Sequence, residues 1–537
     1  MQKQNWRFYG RAKELGDLVR GITLRPSVAL TVYGRRRIGK TELLGRTINQ
    51  IRVLPPTESK PIVYLEVQPN PTRIGEELHE AIIEAGLSGY MTDLHRSPNW
   101  DPTDSERFFF DQAKHLVTKG GVLCLDEFHN IDQKNSQLIY YIKRIIDVNQ
   151  SPTLNPQPSG GGIVAAGSHQ QNMLRLLADP KEPLYGRFKE FRLQQLTSPS
   201  LLEMATEQGW LHDPRQFLTL YSAYGGVPGL WYQYYLDQTD NPDLQLGSYL
   251  HYDSWRERFW QYESTRPIDR LQDRYDYKGM IELNPTAERI LQLISHKPRG
   301  TPREEIFDPN KLPEVQAELD GGVDKTWRLH LERNLDLLEG HVQMIRGIKH
   351  FKDTSTTLPA KYRISDNDTR HQLQVKRIGL LSSILQQTKK NEGDDLERIA
   401  AEYLGSLEKS VIGKYRVHAD YGVQPKDGPE LDVLIWQDII ASEAEESLIM
   451  GSCKRSSDQH VNKSRSPEQV FGSFLVMLFD KKEKPRPKHI RFVLVAPVFT
   501  PDQHEILQKR GFETIDLPHM ALHLGIDPNA RATLSDI

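Results

Sequence analysis

A short apolar run, a loop bounded by glycines and a helical pattern follow one another near the start of this chain, and they constrain its fold more than any other feature. Residues Val28–Tyr33 are nearly all apolar, Gly34–Thr41 reads GRRRIGKT, and Leu43, Leu44 and Ile48 follow at helical spacing. The loop matches the pattern GxxxxGK[ST], and it lies between a strand and a helix as that pattern requires. The alternative is a glycine-rich turn with a solvated lysine.

The residue types in this loop suit the binding of a phosphate chain. Glycines let backbone N–H groups curl around the β- and γ-phosphates, and the helix N-terminus adds its positive dipole end. Lys40 supplies a mobile positive charge, and the Thr41 hydroxyl can ligate Mg²⁺. The sequence therefore predicts that ATP and Mg²⁺ bind here. The residues expected to line the nucleotide site are Gly34, Arg35, Arg36, Arg37, Ile38, Gly39, Lys40, Thr41 and Glu42.

Two further apolar runs end in polar residues that fit the same chemistry. Asp126 and Glu127 follow the run Gly121–Leu125, and Ser168 comes shortly after Ile163–Ala166. Ligands of open parallel sheets bind at the carboxyl ends of strands. We therefore expect Asp126 to hold Mg²⁺ through water, Glu127 to be the catalytic base of ATP hydrolysis, and Ser168 to sense the γ-phosphate. The alternatives are helix caps, with Glu127 merely solvated.

Composition limits the class of protein. Continuous apolar runs such as Ile62–Glu66, separated by helical patterns, predict an α/β fold with a parallel sheet covered on both faces. The 537 residues suggest three or four domains at about 150 residues each. The net charge of −3 creates no general attraction to nucleic acid or to anionic membranes.

Cysteine usage and hydropathy indicate the compartment. The two cysteines, Cys124 and Cys453, lie in apolar runs that favour buried strands, which argues against a disulfide framework and against a cysteine zinc site. No apolar run approaches the ~20 residues of a membrane helix, and the N-terminus lacks a signal-peptide pattern. We expect a cytoplasmic protein without a membrane partner.

The second half of the chain has a different pattern. Helices are expected after Asn284-Pro285, at Thr301-Pro302 with Glu304 as a capping box, and along the stripe Trp327–Leu338; two strands then follow at His341–Lys349 and Lys361–Ile364. This order predicts a winged helix-turn-helix. A second α/β unit is expected from about residue 390. Its predicted elements are helices at Asp394–Leu407 and Glu468–Phe479 and strands at Tyr415–His418, Glu430–Trp436, Leu448–Cys453 and Arg491–Val495.

Several segments together carry a family resemblance. They read FYGR with Glu14, GRRRIGKTEL at 34–43, LDEF at 125–128, GSH with Met173, PLYGR at 183–187 and YGGVP at 224–228. In this order they resemble the prokaryotic AAA+/STAND-type ATPases often named archaeal ATPases, over residues 1–235. The segment YRISDND at 362–368 is similar to the one that closes the winged helix in those proteins. Residues 390–525 resemble their DUF234-type C-terminal domain, a relative of the PD-(D/E)XK nuclease fold.

The resemblance implies roles for further residues. Gly10, Arg11 and Glu14 match the segment on the adenine side, and Arg187 matches the arginine that reads the γ-phosphate, in cis or from a neighbouring subunit of a homo-oligomer. The alternative for Arg187 is a structural ion pair with Glu190 or a sheet carboxylate. Pro228 matches the entry to a small helical lid, and an ordinary turn is the alternative.

The C-terminal resemblance implies a nuclease-like metal site with one departure from the pattern. Glu430 and Asp432 lie on one face of a strand, Lys454 ends the next strand, and Glu397 is expected as an accessory acid around a divalent ion, Mg²⁺ or Mn²⁺. The acid expected two residues before the lysine is Ser452, which binds a divalent ion more weakly. The alternatives are a solvated strand face for the acids and a basic edge strand for Lys454.

Nucleic-acid contact has local support in this half. A basic run comprises Lys481, Lys482, Lys484, Arg486, Lys488 and Arg491, and Arg328 and Arg333 lie on the predicted recognition helix. The predicted domains are an ATPase core at 1–200, a helical lid at 201–280, a winged helix at 281–370 and a nuclease-like domain at 385–537. The function predicted is ATP hydrolysis that controls a DNA-directed terminal domain. The alternatives are an ATP-dependent switch or regulator whose terminal domain is inactive, and a metabolic kinase.

Overall fold

A computed structural model describes most of the chain. The described residues are 8–56, 58–69, 71–91, 105–131, 137–151, 160–168, 173, 175–177, 179–208, 210, 213–240, 252–265, 285–297, 300–313, 315, 325–336, 338–339, 345–348, 361–364, 370, 381–411, 415–423, 431–439, 447–463, 466–478, 487 and 489–523. They form two compact units, one with the described residues up to Gln195 and one with those from Leu196 onward.

The first unit is built on a parallel five-stranded sheet. Its strands are β1 (Val28–Tyr33), β2 (Ile62–Glu66), β3 (Val122–Asp126), β4 (Gly162–Gly167) and β5 (Lys189–Arg192). Their order is β2-β3-β4-β1-β5, and every neighbouring pair is parallel. Its helices are α1 (Ala12–Thr23), α2 (Lys40–Arg52), α3 (Ile74–Glu84), α4 (Ser105–Thr118) and α5 (Leu138–Gln150). The predicted parallel α/β sheet is confirmed.

Both faces of this sheet are buried, which explains why its inner strands read as continuous apolar runs. Leu123 and Leu125 of β3 join a core on one face, whereas Val122 and Cys124 join a core on the other. Side chains alternate along a strand, so a strand that is covered on both sides needs an apolar residue at every position. Because the strands are parallel, the carboxyl ends of β1, β3 and β4 lie at one edge of the sheet.

The second unit begins with helices that share an aromatic core. These helices are α6 (Ser198–Glu207), α7 (Pro214–Tyr224), α8 (Pro228–Asp240) and α9 (Tyr252–Thr265). Trp231 stacks on Trp210 with ring centroids 5.8 Å apart, and Trp255 stacks on Phe259 at 5.4 Å. Large rings of this kind bury much apolar area and dominate the stability of a small helical layer.

A small antiparallel sheet with short helices follows. Its elements are α10 (Pro285–Ser295), β6 (Thr301–Pro302), α11 (Arg303–Ile306), α12 (Lys325–Asp336), β7 (Ile345–Ile348) and β8 (Lys361–Ile364), with the strand order β6-β8-β7. The predicted capping box at Thr301 is wrong. Thr301 instead pairs with Tyr362 in the sheet, and α11 begins at Arg303 without a side-chain cap.

The remainder of the second unit is a mixed five-stranded sheet. Its elements are α13 (Leu381–Val411), β9 (Tyr415–Val423), β10 (Leu431–Ile439), β11 (Ser447–Cys453), α14 (Ser457–Lys463), α15 (Pro467–Leu478), β12 (His489–Ala496), α16 (Pro501–Lys509), β13 (Glu513–Asp516) and α17 (Leu517–His523). The strand order is β13-β12-β11-β10-β9, antiparallel from β9 to β11 and parallel from β11 to β13. The predicted second α/β unit is therefore present.

Both cysteines are buried and no disulfide joins them, as the sequence predicts. Cys124 lies in β3 and Cys453 ends β11. Burial raises the pKa of the Cys124 thiol to about 12. Within the described residues, no helix combines the length and the apolar character that crossing a bilayer demands.

Candidate nucleotide site and terminal-domain site

The phosphate loop connects β1 to α2 and encloses the Lys40 ammonium. Lys40 is the first residue of α2 and only 6% exposed, and its Nζ donates to the carbonyl oxygens of Gly34 and Arg35, each at 3.0 Å. Burial lowers the pKa of Lys40 to about 8, and the nearby carboxylates of Glu127 and Asp126 oppose part of that shift. The loop therefore holds a mobile cation against its own carbonyls, where phosphate oxygens could replace them.

Glycine is required in this loop for backbone reasons. Gly39, with φ of 96°, precedes α2, and a Cβ added there would meet no atom within 4 Å, so the space beside its backbone is open. A Cβ on Gly34 would lie 2.8 Å from the Leu193 carbonyl oxygen. Arg37 also has a positive φ of 64°. Two positive φ values this close together are typical of loops whose backbone N–H groups bind anions.

Thr41, at the amino end of α2, contacts Asp126, at the carboxyl end of β3. Thr41 Oγ1 donates to Asp126 Oδ2 at 2.7 Å, and the Tyr64 hydroxyl donates to the same oxygen at 2.9 Å. Burial and the neighbouring Asp126 raise the pKa of Tyr64 well above its usual value, so Tyr64 stays a donor. One hydroxyl and one carboxylate at this separation are the hard oxygen ligands that Mg²⁺ prefers, and the pair therefore fits that ion.

Glu127 lies next to Ser168, at the ends of β3 and β4. Ser168 Oγ donates to Glu127 Oε2 at 2.9 Å, and the Ser168 backbone N–H lies 3.4 Å from the same oxygen. His129 Nδ1 is 3.3 Å from it as well. Glu127 has φ of 49°, an unusual value for a side-chain-bearing residue that is typical of functional sites. Strand β4 is the direct neighbour of β1, so the condition for Ser168 to lie near the loop is met.

Arg11 forms hydrogen bonds with the backbone of the phosphate loop and of the segment after β5. It is 4% exposed; its guanidinium pairs with Glu14 at 2.9 Å and donates to the carbonyl oxygens of Gln194 at 2.5 Å and Ile38 at 3.4 Å. Arg11 thus fixes the backbone of the loop, a contribution that the sequence did not reveal. Arg35 is buried, whereas Arg36, Arg37, Thr41 and Glu42 are exposed. Glu42 pairs with Arg46 on the outside of α2.

Arg187 and Pro228 take up structural positions in this conformation. Arg187 Nε pairs with Asp147 of α5 at 2.8 Å, and Glu190 instead accepts a bond from the Tyr33 hydroxyl at 2.8 Å. The sequence had named Glu190 or a sheet carboxylate as the ion-pair partner, and the partner is a helix carboxylate. Pro228 is the first residue of α8 and lies three residues after Gly225, which has φ of 54°.

In the terminal domain, Asp432 meets the end of β11. Its Oδ2 accepts from Ser452 Oγ at 3.1 Å, from the Cys453 backbone N–H at 2.8 Å and from Lys454 Nζ at 3.3 Å. This single oxygen is shared by three donors. Glu397 is buried on α13 and lines the same pocket as Lys454. Glu430 lies outside the described residues, as does the predicted basic run except Arg491, which pairs with Glu513.

His460 of α14 lies near this site, and the sequence gave no signal for it. It is buried, and its Nε2 is 2.9 Å from the Val495 carbonyl oxygen. Burial lowers the pKa of His460 to about 4 against the raising effect of that hydrogen bond, and Lys454 lowers it further. Among the described residues, no group of three or more His, Cys, Asp or Glu side chains could hold a metal ion. Asp432 therefore has no described acidic cluster around it.

Comparison with known proteins gives distant matches. No family model matches the chain. An uncharacterized protein of Methanocaldococcus jannaschii is 24% identical over 294 residues, which make up 54% of this chain and 54% of that protein. The chain thus spans about half the length of the curated relative it matches.

Two solved structures align with the chain at low similarity. A Walker-type ATPase of Pyrococcus abyssi aligns with a TM-score of 0.45 and 14% identity, over 68% of this chain and 96% of its own. The ORC2 protein of Aeropyrum pernix, in ADPNP–ADP complexes, aligns with a TM-score of 0.46 and 15% identity, over 71% of this chain and 96% of its own. At such distances, the function of this chain rests on its own residues.

Proposed function

We propose that this chain is a P-loop ATPase of the AAA+/STAND type, which binds ATP with Mg²⁺ and hydrolyses it. The observation that carries the proposal is the convergence of three strand ends. There, Lys40 follows β1, Thr41 contacts Asp126 of β3, and Glu127 contacts Ser168 beyond β4. A cation, a metal-ligand pair and a base stand together, which are the groups that phosphoryl transfer to water needs.

The protein's own groups have separate tasks in this proposal. Lys40 exchanges its two carbonyl partners for phosphate oxygens, and Thr41 and Asp126 hold the Mg²⁺, which neutralises charge on the phosphates when bound. Glu127 accepts a proton from the attacking water. Since Ser168 and its backbone N–H occupy Oε2, the Oε1 atom of Glu127 is the one assigned to the water. Arg187 would contribute only after leaving Asp147.

Paired substitutions test the ATPase proposal. Lys40→Ala should abolish ATP binding measured by calorimetry in magnesium buffer, and Arg52→Ala, at the exposed other end of α2, is the matched control. Glu127→Gln should retain ATP binding and lose about 10²–10⁴-fold in hydrolysis, as expected for a general base. Glu66→Gln, at the end of the neighbouring β2, is its control.

Hydrolysis at the parent rate in the Lys40→Ala protein would remove the proposal. Release of phosphate in equal amount to ADP distinguishes an ATPase from the kinase alternative, which would transfer phosphate to an acceptor.

We further propose that nucleotide state controls a DNA-directed second unit with a lid, a winged helix and a nuclease-like domain, within the predicted bounds 201–280, 281–370 and 385–537. Arg328 and Arg333 are exposed on α12, where phosphate contacts are available. Three hydrogen-bond donors already share Asp432 Oδ2, which favours the alternative in which the terminal domain binds nucleic acid without cutting it. Its Oδ2 is already neutralised by Lys454, and Ser452 stands where an acid is expected.

A cleavage assay separates the two forms of this proposal. The protein is incubated with plasmid, ATP and either Mg²⁺ or Mn²⁺. Cleavage that Asp432→Ala and Lys454→Ala abolish would establish a nuclease that uses Asp432, with Glu397 and Glu430 as further ligands. Intact plasmid together with a retarded band on a gel supports the binding protein.

A further inference from the structure

A pocket of about 560 Å³ opens in the second unit beside the terminal-domain site. Three segments that are far apart in sequence line it. His296 and Lys297 follow α10, Lys389 and Lys390 lie in α13, and Arg455 follows β11 next to Lys454. A concave pocket of this size is within the range of ligand sites, about 300–1,000 Å³.

The lining of the pocket is predominantly basic. Lys297, Lys389, Lys390, Lys454 and Arg455 line it, together with the carboxylates of Asp394 and Glu397. None of the described lining residues is a Phe, Tyr or Trp, so the pocket offers charge rather than a stacking platform. This chemistry suits a phosphate-bearing ligand whose bases are not read.

The buried carboxylate of Glu392 fixes the orientation of Arg455. Its Nε and Nη2 donate to Glu392 Oε2 at 3.1 and 2.8 Å, and Glu392 is fully buried. The same carboxylate accepts from Arg256 Nε at 2.8 Å, so one negative charge serves two guanidiniums. Because Arg455 keeps a free edge after two of its donors are used, it is fixed in orientation and still able to donate to a phosphate.

Lys389 and Lys390 supply the uncompensated charge. Both are exposed, and neither forms an ion pair with any residue that the structure describes. Lys297 and Lys454, in contrast, pair with Glu305 and Asp432. Two adjacent lysines that have no acidic partner in the described part of the chain, beside a fixed arginine, favour an anion at the edge of the pocket.

Gly393 keeps the pocket open. It lies in the interior of α13, where glycine is less favourable than alanine. A Cβ built on Gly393 would lie 3.8 Å from side-chain carbons of Arg455, so a larger side chain would fill the space that the ligand needs.

We propose that this pocket binds the phosphodiester backbone of a single nucleic-acid strand through Lys389, Lys390 and Arg455. The pocket's volume of about 560 Å³ suits one or two nucleotides, and positively charged grooves follow the backbone of single strands. The inference rests on the proposed nucleic-acid role of the second unit and deepens it, because Lys454 and Glu397 of the terminal-domain site line the same pocket.

The test measures binding of a short labelled oligothymidylate to the full chain without ATP, at several salt concentrations. The double variant Lys389→Ala/Lys390→Ala should bind roughly 10- to 30-fold more weakly at about 0.1 M salt, with a salt slope smaller by about 1.4, from 0.7 released counterions per contact. The control is Lys311→Ala/Lys463→Ala, which removes two exposed lysines of the same unit outside the pocket. Gly393→Leu should weaken binding by blocking the pocket and leave the salt slope unchanged.

The outcomes separate this inference from the proposed function. Wild-type binding with an unaffected Lys389→Ala/Lys390→Ala protein overturns the pocket and leaves the DNA-directed proposal standing. No binding by the wild-type protein overturns both, whereas the ATPase proposal is judged separately by the Lys40→Ala assay. Equal displacement of the oligonucleotide by thymidine monophosphate would reassign the pocket to a free nucleotide, and equal displacement by a duplex of the same length would overturn the single-strand assignment.

Discussion

Replacing Ser168 with alanine should slow ATP hydrolysis and leave ATP binding unchanged. Ser168 Oγ donates to the Glu127 carboxylate at 2.9 Å, and no other side-chain hydroxyl in the described residues bonds to that group. In the proposed mechanism, Ser168 is a positioning residue. It fixes one oxygen of the base so that the other faces the water.

The magnitude follows from the local contacts. A hydrogen bond to a charged group contributes about 1.5–3 kcal/mol. The lower end applies here, because the Glu127 side chain is 34% exposed and the Ser168 backbone N–H remains at 3.4 Å after the substitution. About 1.4 kcal/mol corresponds to a tenfold loss of kcat. KM for ATP should stay within the error of the measurement.

A double-mutant cycle provides the decisive assay. Steady-state phosphate release is measured for Ser168→Ala, for Glu127→Gln and for the double variant. The loss caused by Ser168→Ala should disappear in the Glu127→Gln background, because the bond then has no charged acceptor. Thr118→Ala removes a hydroxyl that bonds only within α4 and serves as the control. Equal tenfold losses in both backgrounds would refute the positioning role.

Three further predictions concern protonation and packing. Only the charged form of Lys40 attracts phosphate, and its pKa is lowered to about 8, so ATP affinity should fall above pH 8. Calorimetric heats of ATP binding at pH 9 should depend on the buffer, because binding takes up a proton there that Lys40 already carries at pH 7. Heats at pH 9 that do not depend on the buffer would contradict this. His460 remains neutral when folded, with a pKa of about 4 against 6.5 when unfolded, so the unfolded chain binds more protons between these values and stability should fall as pH drops from 6.5 to 4. His460→Gln should flatten this dependence of the free energy of unfolding on pH, measured by urea unfolding. An unchanged dependence would show that His460 is not its cause. Lys60 donates to the carbonyl oxygens of Ile22, Arg25 and Gly160 at 2.6–2.9 Å, and Lys60→Met should lower the free energy of unfolding by about 2–4 kcal/mol, whereas exposed Lys13→Met should not.

The sequence predicted those strands that are buried on both faces. Val28–Tyr33 and Ile62–Glu66 have the predicted bounds because apolar side chains fill most positions of a strand that is packed on both faces. Strand β5, with the sequence KEFR, escaped prediction because it lies at the edge of the sheet and is mostly exposed. At Thr301, local capping chemistry favoured a helix start, but pairing with Tyr362 placed the residue in a strand.

The part of the nucleotide site that depends on local sequence could be predicted, and the part that depends on long-range contacts could not. The spacing of glycines, lysine and threonine is local, so the loop is visible in the sequence. The contacts of Tyr64 and Arg11 join residues 62 and 183 positions apart, and no periodicity reveals such pairs. The partner of Arg187 also depends on the packing of α5, which places Asp147 within reach.

The burial of both thiols has a practical consequence for spectroscopy. Cys124 is fully inaccessible and protonated at neutral pH, and Cys453 is 6% exposed. Thiol-reactive dyes need a solvent-accessible thiolate. A single cysteine engineered onto the outer surface of α2 or α16 would therefore take up a fluorophore selectively in the native background, so that energy transfer between two such probes could follow the two units through a catalytic cycle.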